Sequence, residues 1–196
     1  MEIKRLINPD SKTITKIAEI HQSVLIESFL NNFGLKFLEI IYKNLLLSPY
    51  TIFLVAYENE KITGFLLAVT DYSKFFKLAT TKEKSKLVAI TLKTLVLKPQ
   101  ITYKLISSLL QVSKEESHAE LQFIAILPDY QGQNIGTRLV DELKKAFLSF
   151  GIKKYYVGTK ANDQLSNKFY LKVGFDKVYT KTYFGEKHNY YLSSEF

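Results

Sequence analysis

Residues 121–140 limit the fold more than any other part of the sequence. Residues 121–127 are mostly branched or aromatic, as in a buried β-strand, and Pro128 ends that pattern. A helical pattern starts at Ile135, after a turn that contains Gly132. Such a strand–turn–helix unit presents free N–H groups and the positive end of the helix dipole, which together bind anions, typically phosphate. The spacing fits neither a P-loop nor a Gly-x-Gly-x-x-Gly motif.

Helical and strand patterns alternate along the rest of the chain. The predicted helices are at residues 13–29, 35–47, 135–150 and 165–173, and the predicted strands at 51–57, 62–70, 119–127, 154–159, 175–184 and 189–192. This order predicts one α/β domain over residues 1–196, with layers of helices on a mixed sheet. His21 falls on the apolar face of the first helix, so we expect it in the core.

The composition excludes several classes of function. The chain has 196 residues and no Cys, which excludes disulfides, thiol catalysis and Cys-ligated metal centres. Its three His are scattered, so no metal site is predicted. No uncharged apolar run approaches about 18 residues and the N-terminus has no signal-peptide core, which predicts a cytoplasmic protein. Proteins that recognise specific bases favour Arg for this contact. Only two residues of this chain are Arg, so specific nucleic-acid recognition is not expected.

The positive charge is concentrated in one part of the chain. The formal net charge is +8, and residues 72–114 contain nine Lys and one Glu, so the rest sums to about zero. A local basic element favours an anionic partner, either an anionic acceptor or a peripheral anionic surface. The alternative is a pair of amphipathic helices whose lysines lie in solvent. Their apolar side is also a candidate homodimer contact.

Two segments resemble the signatures of the GNAT superfamily of N-acetyltransferases. Residues 124–137, IAILPDYQGQNIGT, resemble motif A, whose Arg/Gln-x-x-Gly-x-Gly/Ala turn wraps the pyrophosphate of acetyl-CoA. Residues 162–175, NDQLSNKFYLKVGF, resemble the second signature, an Asn followed by a short helix that ends in Tyr-x-x-x-Gly-Phe. The resemblance implies a GNAT-like mixed central sheet flanked by helices. Residues 72–117 then form a basic helical insertion between the second and third main strands.

The resemblance also implies a binding site for acetyl-CoA as co-substrate. In the family, the strand before the turn splays at a bulge and pairs with pantetheine as it would with an added strand. The corresponding backbone positions are Ile124, Ala125 and Ile126. The pyrophosphate would be held by Gln131, Gly132, Gln133, Asn134, Ile135, Gly136 and Thr137. Asn162 would bind the cofactor's arm, although Asp163 competes for this role because Asn162 lies eight rather than seven positions before Tyr170.

The turn departs from the family at Asn134, where Gly is usual. Asn is the side chain best suited to positive φ after Gly, so we expect Asn134 to adopt that conformation and the turn to keep its shape. Gly132 and Gly136 should let the backbone approach the ligand closely. A Cβ at Gly136 is expected to meet the pyrophosphate.

The implied reaction is the attack of a neutral amine on a thioester, which needs a base and often an acid for the leaving thiolate. Tyr170 is the candidate acid, because the family's Tyr hydroxyl lies near the thioester sulfur. Glu120 is the candidate base, directly or through a water. His118 is its rival, with a suitable ordinary pKa of about 6.5. Glu27 and His188 are weaker candidates for contact with the acceptor.

We therefore expect an acyltransferase that moves an acetyl group from acetyl-CoA to a primary amine. The expected acceptor is a small molecule such as an amino sugar on a nucleotide or lipid carrier. One alternative is acetylation of protein N-termini or lysines. Another is a catalytically silent GNAT-like domain that binds acyl-CoA or a protein partner, which would release no thiol with any amine.

Overall fold

The computed structural model describes residues 1–74, 83–102, 118–183 and 185–196. In chain order, its elements are β1 (Glu2–Arg5), α1 (Ser11–Val24), α2 (Leu35–Leu46), β2 (Thr51–Glu58), β3 (Lys61–Val69), α3 (Lys84–Leu97), β4 (Glu120–Ile126), α4 (Ile135–Leu148), β5 (Tyr156–Lys160), α5 (Gln164–Lys172), β6 (Phe175–Tyr183) and β7 (Glu186–Ser193). Short 3₁₀ helices lie at Phe29–Phe33, Tyr72–Lys74 and Pro128–Tyr130.

The described strands form one seven-stranded sheet in the order β1-β2-β3-β4-β5-β7-β6. Neighbouring strands are antiparallel except for β4 and β5, which run parallel. The sheet is therefore mixed, as predicted, and consecutive predicted strands pair as the hairpins β2–β3 and β6–β7.

Helices cover both faces of this sheet because side chains alternate between the faces along each strand. On β3, Phe65 and Leu67 belong to the core under α1, α2 and α3, whereas Leu66 belongs to the core under α4 and α5. The largest side chains of the first core include Tyr42 and Phe53, and those of the second include Tyr155 and Phe147.

The structure differs from the predicted elements at the N-terminus. Strand β1, which pairs with β2 at one edge of the sheet, was not predicted. It has four residues, and among them only Ile3 packs against a core. One apolar residue gives no alternating hydrophobic pattern from which a strand could be predicted. Helix α1 ends at Val24 rather than Phe29. The Asn31 side chain donates to the Leu25 carbonyl oxygen at 2.8 Å, which satisfies a carbonyl at the end of the helix.

Part of the predicted helical insertion, residues 72–117, lies within the described residues. Helix α3 ends at Leu97, two residues before Pro99, as a helix followed by Pro should. It buries Leu87 in the first core, and the Lys43 ammonium of α2 lies 3.2 Å from the Glu83 carboxylate just before α3. Residues 100–102, just after Pro99, are helical, and the rest of the other predicted helix falls outside the described residues.

None of the helices in the described part of the chain is long and apolar enough to cross a membrane.

His21 is fully buried in the first core, as predicted. Its Nδ1 atom lies 2.6 Å from the Tyr42 hydroxyl and its Nε2 atom 2.9 Å from the Ser28 hydroxyl. The ring also packs edge-on against Phe123 of β4, with 5.0 Å between ring centroids. Burial lowers the pKa of His21 to about 4, so the imidazole is neutral in the folded protein at neutral pH. His21 thus ties α1 to α2 and to the centre of the sheet.

We predict that His21 makes the free energy of unfolding depend on pH between about 6.5 and 4. The unfolded chain binds a proton at an ordinary pKa of about 6.5, whereas the folded chain binds it only near 4. Stability is therefore complete above 6.5 and falls by roughly 3 kcal/mol as the pH drops to 4. Urea unfolding across this range measures the loss.

The His21→Gln variant removes the titrating group and should flatten that pH dependence, although it lowers stability at every pH. His188→Gln, which removes a less buried histidine of the described chain, serves as the matched control and should keep most of the slope. An equal slope in wild type and His21→Gln would contradict the assignment.

Candidate functional site

The central feature of the site is a gap between β4 and β5. The two strands are neighbours only at Glu120–Tyr156 and Leu121–Val157. Beyond these two positions, β4 continues along β3 as far as Ile126, while β5 continues along β7 as far as Lys160. The strands therefore separate and leave a wedge that opens toward their carboxyl ends.

A bulge in β4 lies where the strands separate. The register with β3 shifts between Leu121 and Phe123, so Gln122 is the extra residue. Beyond the bulge, the Leu127 N–H donates to the Thr63 carbonyl oxygen of the β3 side at 2.9 Å. Backbone polar groups alternate in direction along a strand, so those of Ala125 also face β3 and those of Ile124 and Ile126 face the gap.

The Gln131 side chain supports this assignment of direction. Its Nε2 atom donates to the Ile126 carbonyl oxygen at 3.0 Å, from the side opposite β3. The N–H and C=O groups of Ile124 and Ile126 thus line the gap, where an extended ligand can pair with them as an added strand does.

The turn between β4 and α4 has the shape that its sequence predicts. Asn134 has φ 59° and ψ 15°, the left-handed conformation expected for it, and Gly132 has φ 77°. Ile135 is buried and fixes the start of α4 in the core. Gln131, Gly132, Gln133 and Asn134 are exposed, and Thr137 is half-buried in the first turn of the helix. The N-terminus of a 14-residue helix thus opens to solvent beside the gap.

Gly136 is constrained by the protein itself. A Cβ built there would lie 3.2 Å from two ring carbons of Phe169 and 3.7 Å from Cδ1 of Ile126. The missing side chain therefore faces α5 and the core, and its contact with a pyrophosphate stays a prediction. Glycine is required here because it lets α4 approach α5 closely.

A cleft of about 650 Å³ lies at the gap on the face that carries α1. Residues 24–30, which connect α1 to the next 3₁₀ helix, form one wall, and the ends of β4, β5 and β7 form the others. Its charged lining among the described residues consists of four carboxylates and one lysine: Glu27, Glu120, Asp163, Glu186 and Lys160. This part of the cleft is negative although the chain as a whole is basic.

The two rival base candidates are partners in this structure. The His118 Nε2 atom lies 2.9 Å from the Glu120 carboxylate, and Glu120 is only 7% exposed. The His118 ring stacks on Tyr72 at 5.3 Å and meets Tyr156 edge-on at 4.9 Å. These aromatic contacts fix the ring, so imidazole and carboxylate form one proton-accepting unit at the start of β4.

Lys160 forms the second polar cluster of the cleft. Its ammonium lies 2.6 Å from the Glu186 carboxylate and 2.9 Å from that of Glu27. Burial by itself would lower the pKa of Lys160, but the hydrogen bonds to Glu186 and Glu27 raise it, so the lysine stays charged. Burial lowers the pKa of the neighbouring His188 below its ordinary value. Glu27 and His188 both line the cleft, and their contact with the acceptor stays a prediction.

Tyr170 lies on the other face of the sheet. It is buried in the core under α4 and α5, with its ring 5.7 Å from that of Phe175 and 5.9 Å from that of Tyr191. Burial, with a smaller effect from the Asp163 carboxylate, raises the pKa of Tyr170 well above its ordinary value. The phenol therefore stays protonated at neutral pH, as a proton donor must.

The competing positions Asn162 and Asp163 both line the cleft. The Asp163 carboxylate caps α5 by accepting the Ser166 N–H at 3.0 Å. Because Asp163 has this helix-capping role, Asn162 is the better placed of the two to bind a ligand in the gap.

Two residues of the cleft were missed by the sequence analysis. Gln122 is the bulge residue, and its signal is that it is the one polar side chain within residues 121–127. Lys160 ends β5 immediately before the second signature, where a charged residue at the end of a strand is itself a signal for a site. Neither signal identifies a partner, and the partners of Lys160 come from the connection after α1 and from β7.

The sequence and the fold were compared with known proteins. The family model described as Acetyltransferase (GNAT) family matches residues 17–175. A comparison with functionally curated proteins finds no significant match.

Several solved structures have a similar fold. One is an aminoglycoside 6′-acetyltransferase type Ii, with a TM-score of 0.64, 16% identity, and coverage of 99% of this chain and 97% of that one. Another is the PaiA N-acetyltransferase from Thermoplasma acidophilum in complex with coenzyme A, with a TM-score of 0.60, 16% identity, and coverage of 100% and 98%. A third is the ribosomal-protein-S18-alanine N-acetyltransferase from Escherichia coli, with a TM-score of 0.58, 13% identity, and coverage of 98% and 92%.

The family match includes α1 from Ile17 onward, the sheet from β2 to β5, the turn before α4 and the whole of α5. Both sequence signatures and the gap between β4 and β5 lie inside it. The chain therefore belongs to the GNAT family of acetyltransferases.

Proposed function

We propose that this acetyltransferase transfers the acetyl group of acetyl-CoA to a primary amine on a small molecule. The observation that carries the proposal is the gap between β4 and β5, which opens beside the exposed N-terminus of α4. A ligand with an extended polar arm and a pyrophosphate fits these two features together, since the arm pairs with strand backbone and the phosphates with helix N–H groups. Coenzyme A has both, and the similar PaiA structure contains it.

The proposed donor site uses the residues that line the gap and the turn. Ile124 and Ile126, with Ala125 between them, bind the pantetheine arm through their backbone. Gln131, Gly132, Gln133, Asn134, Ile135, Gly136 and Thr137 form the turn that holds the pyrophosphate, with Gly136 acting through helix packing. Asn162 binds the arm from the β5 side.

The proposed chemistry uses one proton acceptor and one proton donor. The neutral amine attacks the thioester carbonyl with its lone pair, and the His118–Glu120 unit takes the proton that the nitrogen loses as the amide forms. A carbon–nitrogen bond forms, the carbon–sulfur bond breaks, and the Tyr170 hydroxyl gives its proton to the leaving thiolate. The thioester supplies the activated acetyl group. The protein positions both reactants and moves the two protons.

The charge of the cleft supports an amine acceptor. Four carboxylates and one lysine among the described lining residues attract an ammonium group and disfavour an anion. An amino sugar fits this lining, whereas a nucleotide or lipid carrier would have to keep its phosphates outside the cleft. The fold similarity to an aminoglycoside acetyltransferase agrees with a small aminated acceptor.

The basic segment 72–114 keeps its proposed roles as a peripheral contact with an anionic surface or as a homodimer contact. Helix α3 exposes Val88, Leu92 and Val96 along one side, at spacing that places them on one face. Lys84 and Lys93 are exposed beside them. We place this segment in the same domain as the rest of the chain, because Leu87 is buried in the first core.

Release of free thiol from acetyl-CoA tests the proposal, measured with amino sugars, polyamines and peptides as acceptors. Turnover with a small amine supports it, and turnover with peptides alone would favour a protein acetyltransferase instead. Because the fold is also similar to that of a ribosomal-protein acetyltransferase, peptides must be included among the acceptors tested. Binding of coenzyme A without thiol release from any amine would identify a silent domain.

We predict that coenzyme A raises the melting temperature, with a stabilisation of about 2.7 kcal/mol at a hundredfold excess over Kd. Asn134→Gly should keep this shift because Gly adopts positive φ, and Asn134→Val should lose it because a β-branched residue does not. Asn59→Val is the matched control, since Asn59 also has positive φ but lies in the β2–β3 turn. It should lower stability and keep the shift. A wild-type melting temperature that saturating coenzyme A leaves unchanged would refute the donor site.

We predict that Tyr170→Phe lowers kcat by about 10²- to 10⁴-fold and changes the KM for acetyl-CoA little, because it removes a proton donor and almost no surface. Tyr155→Phe is the matched control. Tyr155 is a buried tyrosine of the same core, and its hydroxyl has no hydrogen-bond partner among the described residues. Its removal should leave kcat unchanged. Equal kcat for Tyr170→Phe and wild type would rule out the acid role.

We predict that Glu120→Gln flattens the acidic limb of the pH profile of kcat/KM, because the amide cannot take up the proton. Glu27→Gln changes another carboxylate of the same cleft and should keep the limb, whatever its effect on acceptor KM. If Glu120→Gln retains the limb and His118→Ala removes it, the histidine is the base and the carboxylate orients it.

A further inference from the structure

The side chain of Asn167, in the middle of α5, has all its hydrogen-bonding capacity in use. Its Nδ2 atom donates to the Lys160 carbonyl oxygen at 2.8 Å and to the Asp163 carbonyl oxygen. Its Oδ1 atom accepts from Asn189 Nδ2 at 2.7 Å and from the Tyr191 hydroxyl. An amide has two N–H groups and two lone pairs, so all four are occupied. No other side chain of similar size offers two donors and one such acceptor.

These bonds join three elements that border the proposed site. Lys160 ends β5 at the gap, Asp163 begins α5, and Asn189 and Tyr191 lie on β7. The network continues to β6, where the Thr180 hydroxyl donates to Asn189 Oδ1 at 2.8 Å. Asn167 therefore fixes the position of α5 relative to the sheet.

The network reaches the proposed acid through Tyr191. Tyr170 lies three residues after Asn167 on the same helix, and its ring packs against that of Tyr191. The hydroxyl of Tyr191 is held by Asn167, so the same side chain determines where both the helix and its packing partner lie. Asn is a poor helix former, so its place in the helix interior is explained by these tertiary bonds rather than by helix stability.

We propose that Asn167 is a positioning residue for Tyr170. It holds the Tyr170 hydroxyl at the place where the leaving thiolate is protonated, through its bonds to β5 and to Tyr191. This inference rests on the proposed function and on the acid role of Tyr170.

The test is a double-mutant cycle on kcat with acetyl-CoA and the best acceptor. Asn167→Ala should lower kcat by about tenfold, with the KM for acetyl-CoA within about twofold of wild type. In the Tyr170→Phe background the same change should lower kcat no further, because the group being positioned is already absent. Tyr191→Phe keeps the ring and removes the hydrogen bond to Asn167, so it should lower kcat by less than Asn167→Ala does. In the Tyr170→Phe background, Tyr191→Phe should likewise cause no further loss of kcat.

Thr94→Val is the control for general loss of a buried hydrogen bond. Thr94 is buried in α3, far along the chain from α5, and its hydroxyl donates to the Ile90 carbonyl oxygen at 2.8 Å. It should lower the melting temperature and leave kcat unchanged. Should Asn167→Ala fail to fold, the Tyr191→Phe cycle carries the test by itself.

Three outcomes overturn the inference, and they are distinguishable. An Asn167→Ala enzyme with lower stability and wild-type kcat would show a structural role only. A loss of kcat of equal size in both backgrounds would show an effect that bypasses Tyr170. A wild-type protein that releases no thiol, or a Tyr170→Phe enzyme as active as wild type, would instead refute the proposed function or the acid role, and the positioning role with it.

Discussion

The early separation of β4 from β5 is the constraint on which the rest of the structure depends. A parallel pair in the middle of a sheet normally continues for the length of its strands, since each further residue adds backbone hydrogen bonds. Here, two positions pair and the strands then diverge. Each strand is fully engaged on its outer side, β4 with β3 and β5 with β7. Beyond these two positions each half of the sheet has an open inner edge, and the two open inner edges face each other.

The surrounding elements keep this wedge open. The bulge at Gln122 turns β4 where the strands separate, and the approach of α4 to α5 at Gly136 fixes the far side. On the β5 side, Asn167 anchors the end of the strand to α5 and β7. On the α1 face, His21 ties the helices to β4 through its contacts with Tyr42 and Phe123. Each wall of the wedge is thus attached to a different set of buried contacts.

Much of this fold could be predicted from the sequence, because the relevant patterns are local. The turn before α4 followed from glycines and one Asn, whose conformational preferences do not depend on tertiary context. The pairing of His118 with Glu120 was not predicted, because His118 precedes the strand and its side-chain direction is not set by strand alternation. The role of Gly136 could not be predicted either, because its neighbour Phe169 lies more than thirty residues away. The bounds of α1 depended on the Asn31 side chain, and β1 on an edge of the sheet that only the folded chain provides.

The division of the cleft between distant parts of the chain has a consequence for how its specificity can change. Most of the proposed donor side is one continuous stretch, from β4 through the turn into α4, to which Asn162 is added from the β5 side. The opposite wall comes from residues 24–30, which form a connection between helices rather than part of the sheet. Substitutions or length changes in that connection alter the shape and charge that an acceptor meets, while the backbone that faces the donor keeps its geometry. The architecture is therefore modular: the wall formed by residues 24–30 can vary while β4 and the turn before α4 keep their geometry.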